Sequence, residues 1–85
     1  MSHAQRNYIV TAAAGGIGGE LVLLLLEGGA AVLACDISGK RLAALQERAP
    51  VGAERLSVLK VDVADEGGAE IATRTAIEKF GTVHG

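Results

Sequence analysis

The chain has 85 residues, 49% of them hydrophobic, with twelve glycines, only Tyr8 and Phe80 as aromatics, and a formal net charge of −2. A chain of this size makes one small domain, and this composition excludes disorder and calls for an aliphatic, small-residue core of the kind found in covered parallel sheets. Lys and Arg are scattered among the acids with no basic block, which argues against nucleic acid as a partner.

The apolar run Leu21–Leu26 is bracketed by Glu20 and Glu27, far short of the roughly 20 apolar residues of a membrane span. With no signal-like N-terminal region before it, a cytoplasmic protein is expected. Cys35 is the single cysteine; within "AAVLAC" it reads as a small buried hydrophobe, and neither a disulfide nor a set of metal ligands is expected.

In chain order, "NYIVTA" (7–12) is β-rich and is punctuated by glycines from Gly15 to Gly19 before a helical pattern runs through Glu20 and the leucines. Gly28 and Gly29 end that helix, and Ala30 to Cys35 make a continuous apolar run of strand length. Asp36 or Ser38 can cap a second helix in which Leu42, Leu45 and Ala49 recur at helical spacing until Pro50 and Gly52. "RLSVLKVDV" (55–63) reads as a third strand. Asp65 and Glu66 then open a helix with Ala69, Ala72, Ala76, Ile77 and Phe80 on one face, Gly81 stops it, and "TVHG" (82–85) can begin a fourth strand.

The order β-α-β-α-β-α predicts an α/β fold: a Rossmann-like parallel sheet with right-handed crossovers, one half of a doubly wound architecture. The six apolar residues from Leu21 to Leu26 face all around their helix, so some stay exposed unless another layer or chain covers them.

A helix N-terminus offers unpaired N–H groups and the positive end of its dipole to a phosphate, and glycines clear the approach. Gly16 and Gly18 are placed for this, with a tight ligand-free turn as the plain structural reading. The spacing GxGxxG fails, because Leu21 stands where its third glycine belongs. Asp36, at the end of the second strand, has a carboxylate able to accept both hydroxyls of an adenosine ribose, whereas a 2′-phosphate would meet like charge there, so NAD is preferred to NADP. Helix capping is its other possible role.

"TAAAGGIG", from Thr11, resembles the Thr-Gly-x-x-x-Gly-Ile-Gly cofactor loop of the short-chain dehydrogenase/reductase family, and only Ala12 departs from it. Asp36 follows Gly18 by eighteen residues, "KVDVAD" is similar to the family's Asp-Val segment after strand three, and "FGTVHG" is similar to the approach to its fourth strand. The resemblance covers essentially the whole chain and implies a cofactor site at Ala12, Gly16, Ile17, Gly18, Asp36, Ile37, Asp62 and Val63. In it Ile17 offers its backbone to the cofactor, Ile37 lies against the adenine, and Asp62 and Val63 contact adenine through a carboxylate and a backbone N–H. For Ile37 ordinary packing, and for Asp62 a turn, are the alternatives.

The resemblance also implies that residues 1–85 correspond to the N-terminal NAD-binding portion of an enzyme moving hydride between a nicotinamide and an alcohol or ketone. The catalytic serine and the Tyr-x-x-x-Lys motif of the family are absent from these 85 residues, so no catalytic residue is assigned; Tyr8 lies in the first strand with no lysine four residues later. A homo-oligomer is the expected assembly. The rival expectation is a noncatalytic β-α-β module that self-associates through its leucine-rich helix or open sheet edge, and a third is a nucleotide- or S-adenosylmethionine-binding domain of another Rossmann-like family.

Ala12 is the departure with a consequence. At a position requiring φ > 0 an alanine costs on the order of 1 kcal/mol, and its methyl projects toward the adenosine space. Ala12→Gly is therefore expected to bind NAD more tightly than the parent chain in a calorimetric titration, and equal dissociation constants would refute the role given to this residue.

Overall fold

A computed structural model describes residues 6–11, 16–49 and 53–81. Among these, the elements are β1 (Asn7–Thr11), α1 (Gly16–Glu27), β2 (Ala31–Asp36), α2 (Gly39–Glu47), a 3₁₀ turn (Ala53–Arg55), β3 (Leu56–Lys60) and α3 (Glu66–Phe80). The strands form one parallel sheet in the order β1-β2-β3, with Tyr8 opposite Val32 and Val32 opposite Leu56. This is the α/β, Rossmann-like arrangement expected from the element order.

The unbroken apolar character of β2 follows from its central place. Val32 and Ala34 face a core built from Val22, Leu25 and Leu26 of α1 and Leu42 and Leu45 of α2. Leu33 and Cys35 face the opposite side, against Ala72 and Ala76 of α3. Side chains alternate across a strand with a period of two, so a strand covered on both faces must be apolar at every position. Each large aliphatic side chain fully buried this way contributes about 1.5–3 kcal/mol.

The helices end as local chemistry dictates. Gly29 takes φ 94° after α1, a left-handed conformation that suits glycine. Arg55 secures that corner, donating from Nη2 to the Leu26 carbonyl at 2.6 Å and from Nε to the Ala30 carbonyl at 3.2 Å. Ser38 caps α2, its hydroxyl accepting from Arg41 N–H at 3.2 Å, and Asp65 caps α3 by accepting from Gly67 N–H at 3.0 Å.

Several boundaries differ from the sequence reading. The glycines Gly16, Gly18 and Gly19 lie within the first turn of α1, where each is roughly 1 kcal/mol less favourable than alanine. The second strand runs one residue further than expected, through Asp36, and β3 stops at Lys60, leaving Asp62 and Val63 in the turn beyond it. In α3 the face toward the sheet is Gly68, Ala72 and Ala76 with Phe80 half-buried, while Ala69 is exposed and Ile77 is 51% exposed. The spacing of four from Gly68 defines the buried stripe, and a glycine does not announce itself as apolar. The expected exposure on α1 is found at Leu21 (46%) and Leu24 (62%). The proposed fourth strand, 82–85, lies outside the described residues.

Candidate cofactor site at the carboxyl ends of the strands

In a parallel sheet every strand-to-helix connection emerges at the same end, where the open α/β folds place their ligands. Here that end holds the exits of β1, β2 and β3 and the N-termini of α1, α2 and α3. A cavity of about 310 Å³ opens there, lined by Cys35, Asp36, Ile37, Arg41, Val61, Asp62, Val63 and Ala64. Its size is at the lower end of the roughly 300–1,000 Å³ typical of small-molecule sites.

Four of the residues expected from the sequence thus meet in one place: Asp36, Ile37, Asp62 and Val63. Asp36 is the last residue of β2 and is buried, the one charged residue in the core among the described residues. It is held twice. Its Oδ1 accepts from Ser38 N–H at 2.9 Å, and its carbonyl accepts from Val61 N–H at 2.9 Å, one step past its pairing with Lys60. Of the two roles considered for Asp36, capping passes to Ser38, and Asp36 braces the turn into α2. Such bracing fixes the carboxylate before any ligand arrives.

Ile37 projects beside it, 67% exposed. Across the cavity Asp62 is exposed and its Oδ1 accepts from Ala64 N–H at 3.0 Å, closing an Asx turn. Val63 is half-buried against the Leu33 and Cys35 side of the sheet. Cys35 forms part of the cavity wall but is itself buried, and that burial pushes its thiol above the ordinary value of 9.0, away from the reactive thiolate.

The remaining expected residues fall at the start of α1. Gly16 is its first residue and exposed, and a Cβ built on it would meet no atom within 4 Å, so this turn is open to an approaching group. Ile17 is 91% exposed and Gly18 half-buried. None of the three is among the described residues lining the cavity; they lie at the same end of the sheet, after the exit of β1. Ala12 lies outside the described residues. Among the described residues no group of three or more His, Cys, Asp or Glu is placed to hold a metal ion, and no helix is long and apolar enough to cross a membrane.

Two residues were missed in the sequence. Arg41, the third residue of α2, lines the cavity because a helix capped by Ser38 and starting three residues after Asp36 brings its first turn close to the strand end. Gly68 is the other. A Cβ there would run into the carbonyl of Asp62, and Val61 Cγ2 would be 3.1 Å away. The signal was available: a Gly-Gly pair inside a helix is unfavourable enough to imply a close backbone approach.

The fold and this strand-end cavity define a Rossmann-like α/β protein of the nucleotide-binding kind of architecture. The sequence profile described as short chain dehydrogenase matches residues 6–85, and the chain belongs to that family of oxidoreductases, whose members bind nicotinamide cofactors. It is 36% identical over 78 residues to 3beta-hydroxysteroid dehydrogenase 2 of Eggerthella lenta, covering 92% of this chain and 30% of that protein. It is 42% identical over 76 residues to 2,3-dihydroxy-2,3-dihydro-p-cumate dehydrogenase of Pseudomonas putida, covering 88% of this chain and 29% of the relative. The crystal structure of a glucose/ribitol dehydrogenase of the family from Brucella melitensis superposes with a TM-score of 0.89 at 28% identity, over 98% of this chain and 35% of the other. The chain therefore spans about 30% of the length of these two relatives.

The contact at Gly68 gives the site a mechanical dependence on α3. Gly68→Ala is expected to lower stability by about 1–3 kcal/mol through overpacking, and to displace the amide resonances of Asp62 to Ala64. Urea denaturation with amide NMR checks this; unchanged stability and unchanged resonances would mean that the helix start is free to move aside.

Proposed function

We propose that residues 1–85 form the N-terminal NAD-binding portion of a short-chain dehydrogenase/reductase, holding the adenosine half of the cofactor between Asp36 and Ile37 on one side and Asp62 and Val63 on the other. The observation that carries this reading is Asp36, buried at the end of β2 with its Oδ1 accepting from Ser38 N–H and its main-chain carbonyl from Val61 N–H, in the wall of a cavity it shares with Ile37, Asp62 and Val63. A carboxylate fixed in this way accepts hydrogen bonds from two vicinal ribose hydroxyls without reorganising, while the flanking Ile37 and Val63 suit the faces of a purine. Gly16 and Gly18, with the backbone at Ile17, receive the pyrophosphate at the start of α1, where N–H groups and the helix dipole favour negative charge.

The residues present fit the group. The cofactor, when bound, supplies the hydride, exchanged in the parent enzyme with an alcohol or ketone. What this chain contributes is binding and orientation. A carboxylate facing the ribose disfavours a 2′-phosphate, which supports NAD over NADP.

Assembly into a homo-oligomer belongs to the same proposal. Leu21 and Leu24 leave apolar surface on the outer side of α1, the observation that also favours the noncatalytic, self-associating alternative. NAD binding separates the two readings. Asp36→Ala is expected to weaken NAD at least about 10-fold, the scale of losing a charge-assisted hydrogen bond, with the fold retained by circular dichroism. Undiminished binding, or no binding by the parent chain, would overturn the proposal and leave the self-associating module in its place.

A further inference from the structure

Resting on the adenosine-site reading above, we propose that Asp65 is a positioning residue for the cofactor: it caps α3 and thereby holds the Asp62–Ala64 wall of the cavity in place opposite Asp36 and Ile37. Asp65 is exposed and is not among the described residues lining the cavity, so its part is indirect. Its backbone is extended, with φ −83° and ψ 135°, and its polar groups are engaged at the junction. The N–H donates to the Asp62 carbonyl at 3.2 Å and closes the turn through Val63 and Ala64. The carboxylate Oδ1 accepts from Gly67 N–H at 3.0 Å and the carbonyl from Ala69 N–H at 3.0 Å, which starts the helix. One residue therefore belongs to the wall through its N–H and to α3 through its oxygens.

Shape and placement of the wall have different sources. The bond from Ala64 N–H to Asp62 Oδ1 is local and sets the shape of the turn wherever the turn lies. Placement comes from α3. A Cβ on Gly68 would overlap the Asp62 carbonyl, so the first turn of the helix packs directly on the peptide group that carries the wall. Gly68 is buried in one stripe with Ala72 and Ala76, and the two alanines pack with Leu33 and Cys35 of β2, the strand that ends in Asp36. Both walls are thus referred to the same strand, one directly and the other through α3. The Asp65 cap is the joint in that second route: without it the first turn of α3 loses the acceptor for Gly67 N–H, and the Asp62 carbonyl loses its fixed support. A site held in its binding geometry before the ligand arrives avoids the cost of ordering on binding, and that advantage is what the cap supplies to NAD.

The test is a calorimetric titration of NAD into the intact chain and three variants, with urea denaturation of each. Asp65→Ala is expected to weaken NAD about 3- to 10-fold, the range that corresponds to loss of a helix cap. Asp65→Asn keeps an acceptor at the same place without the charge and should restore affinity to within about 2-fold of the parent. Glu78→Gly, at an exposed position near the far end of α3, should lower the urea midpoint as Asp65→Ala does and leave NAD affinity unchanged. In the parent chain NAD should also shift the amide resonances of Gly67 and Gly68, although neither lines the cavity. The inference fails if Asp65→Ala binds NAD like the parent, if Asp65→Asn is as weak as Asp65→Ala, or if Glu78→Gly weakens NAD equally. Should Asp65→Ala not fold, the parent decides, because NAD shifts at Asp62 to Ala64 without any at Gly67 and Gly68 overturn it. Absence of NAD binding by the parent overturns the adenosine-site reading itself.

Discussion

The central strand β2 is hydrogen-bonded along both edges and covered on both faces, and the rest of the structure depends on that double burial. A parallel strand with no solvent face has to be apolar throughout, and Val32 to Cys35 are fully buried. Where the strand leaves the sheet this rule breaks, and a carboxylate appears at Asp36. Burial of a charge is costly unless it is hydrogen-bonded, and Ser38 N–H donates to the Asp36 carboxylate while Val61 N–H, donating to its main-chain carbonyl, fixes the backbone that carries it. The same backbone geometry that ends the strand therefore prepares an acceptor.

The two sides of the sheet contribute differently to the site. On one side α1 and α2 share a core of aliphatic side chains, and α2 brings Arg41 to the cavity from there. On the other, α3 packs through Gly68, Ala72 and Ala76, residues small enough to let the helix approach the backbone of the loop that carries Asp62 and Val63. Small-residue packing, needed in a chain with so few aromatic side chains, is also what brings the second wall of the cavity close to the first.

Much of this was legible in the sequence, for physical reasons that can be named. Strand and helix order followed from hydrophobic period and glycine punctuation, and the end of α1 from the left-handed preference of glycine, realised at Gly29. Asp36 could be placed at the end of a strand-length apolar run, whereas Ile37, Asp62 and Val63 were named from the family resemblance; the structure brings all four to one cavity wall. Arg41 was not, because a charged residue on a helix carries no signal of which way the helix turns over the sheet. Gly68 escaped because a helix face was read from apolar side chains, and the closest approach is made where there is none. The limits of β3 and the start of α1 shifted because backbone pairing, rather than propensity, decides where elements stop.

The site proposed for the adenosine half of a nicotinamide dinucleotide is at the carboxyl ends of β2 and β3. Its most direct measurement is an amide NMR titration of the protein with NAD. Perturbations are expected to concentrate at Asp36, Ile37, Arg41 and the Asp62–Ala64 turn, with a second set at Gly16 to Gly18. Saturable shifts confined instead to the outer side of α1, around Leu21 and Leu24, or no shifts at millimolar NAD, would contradict it.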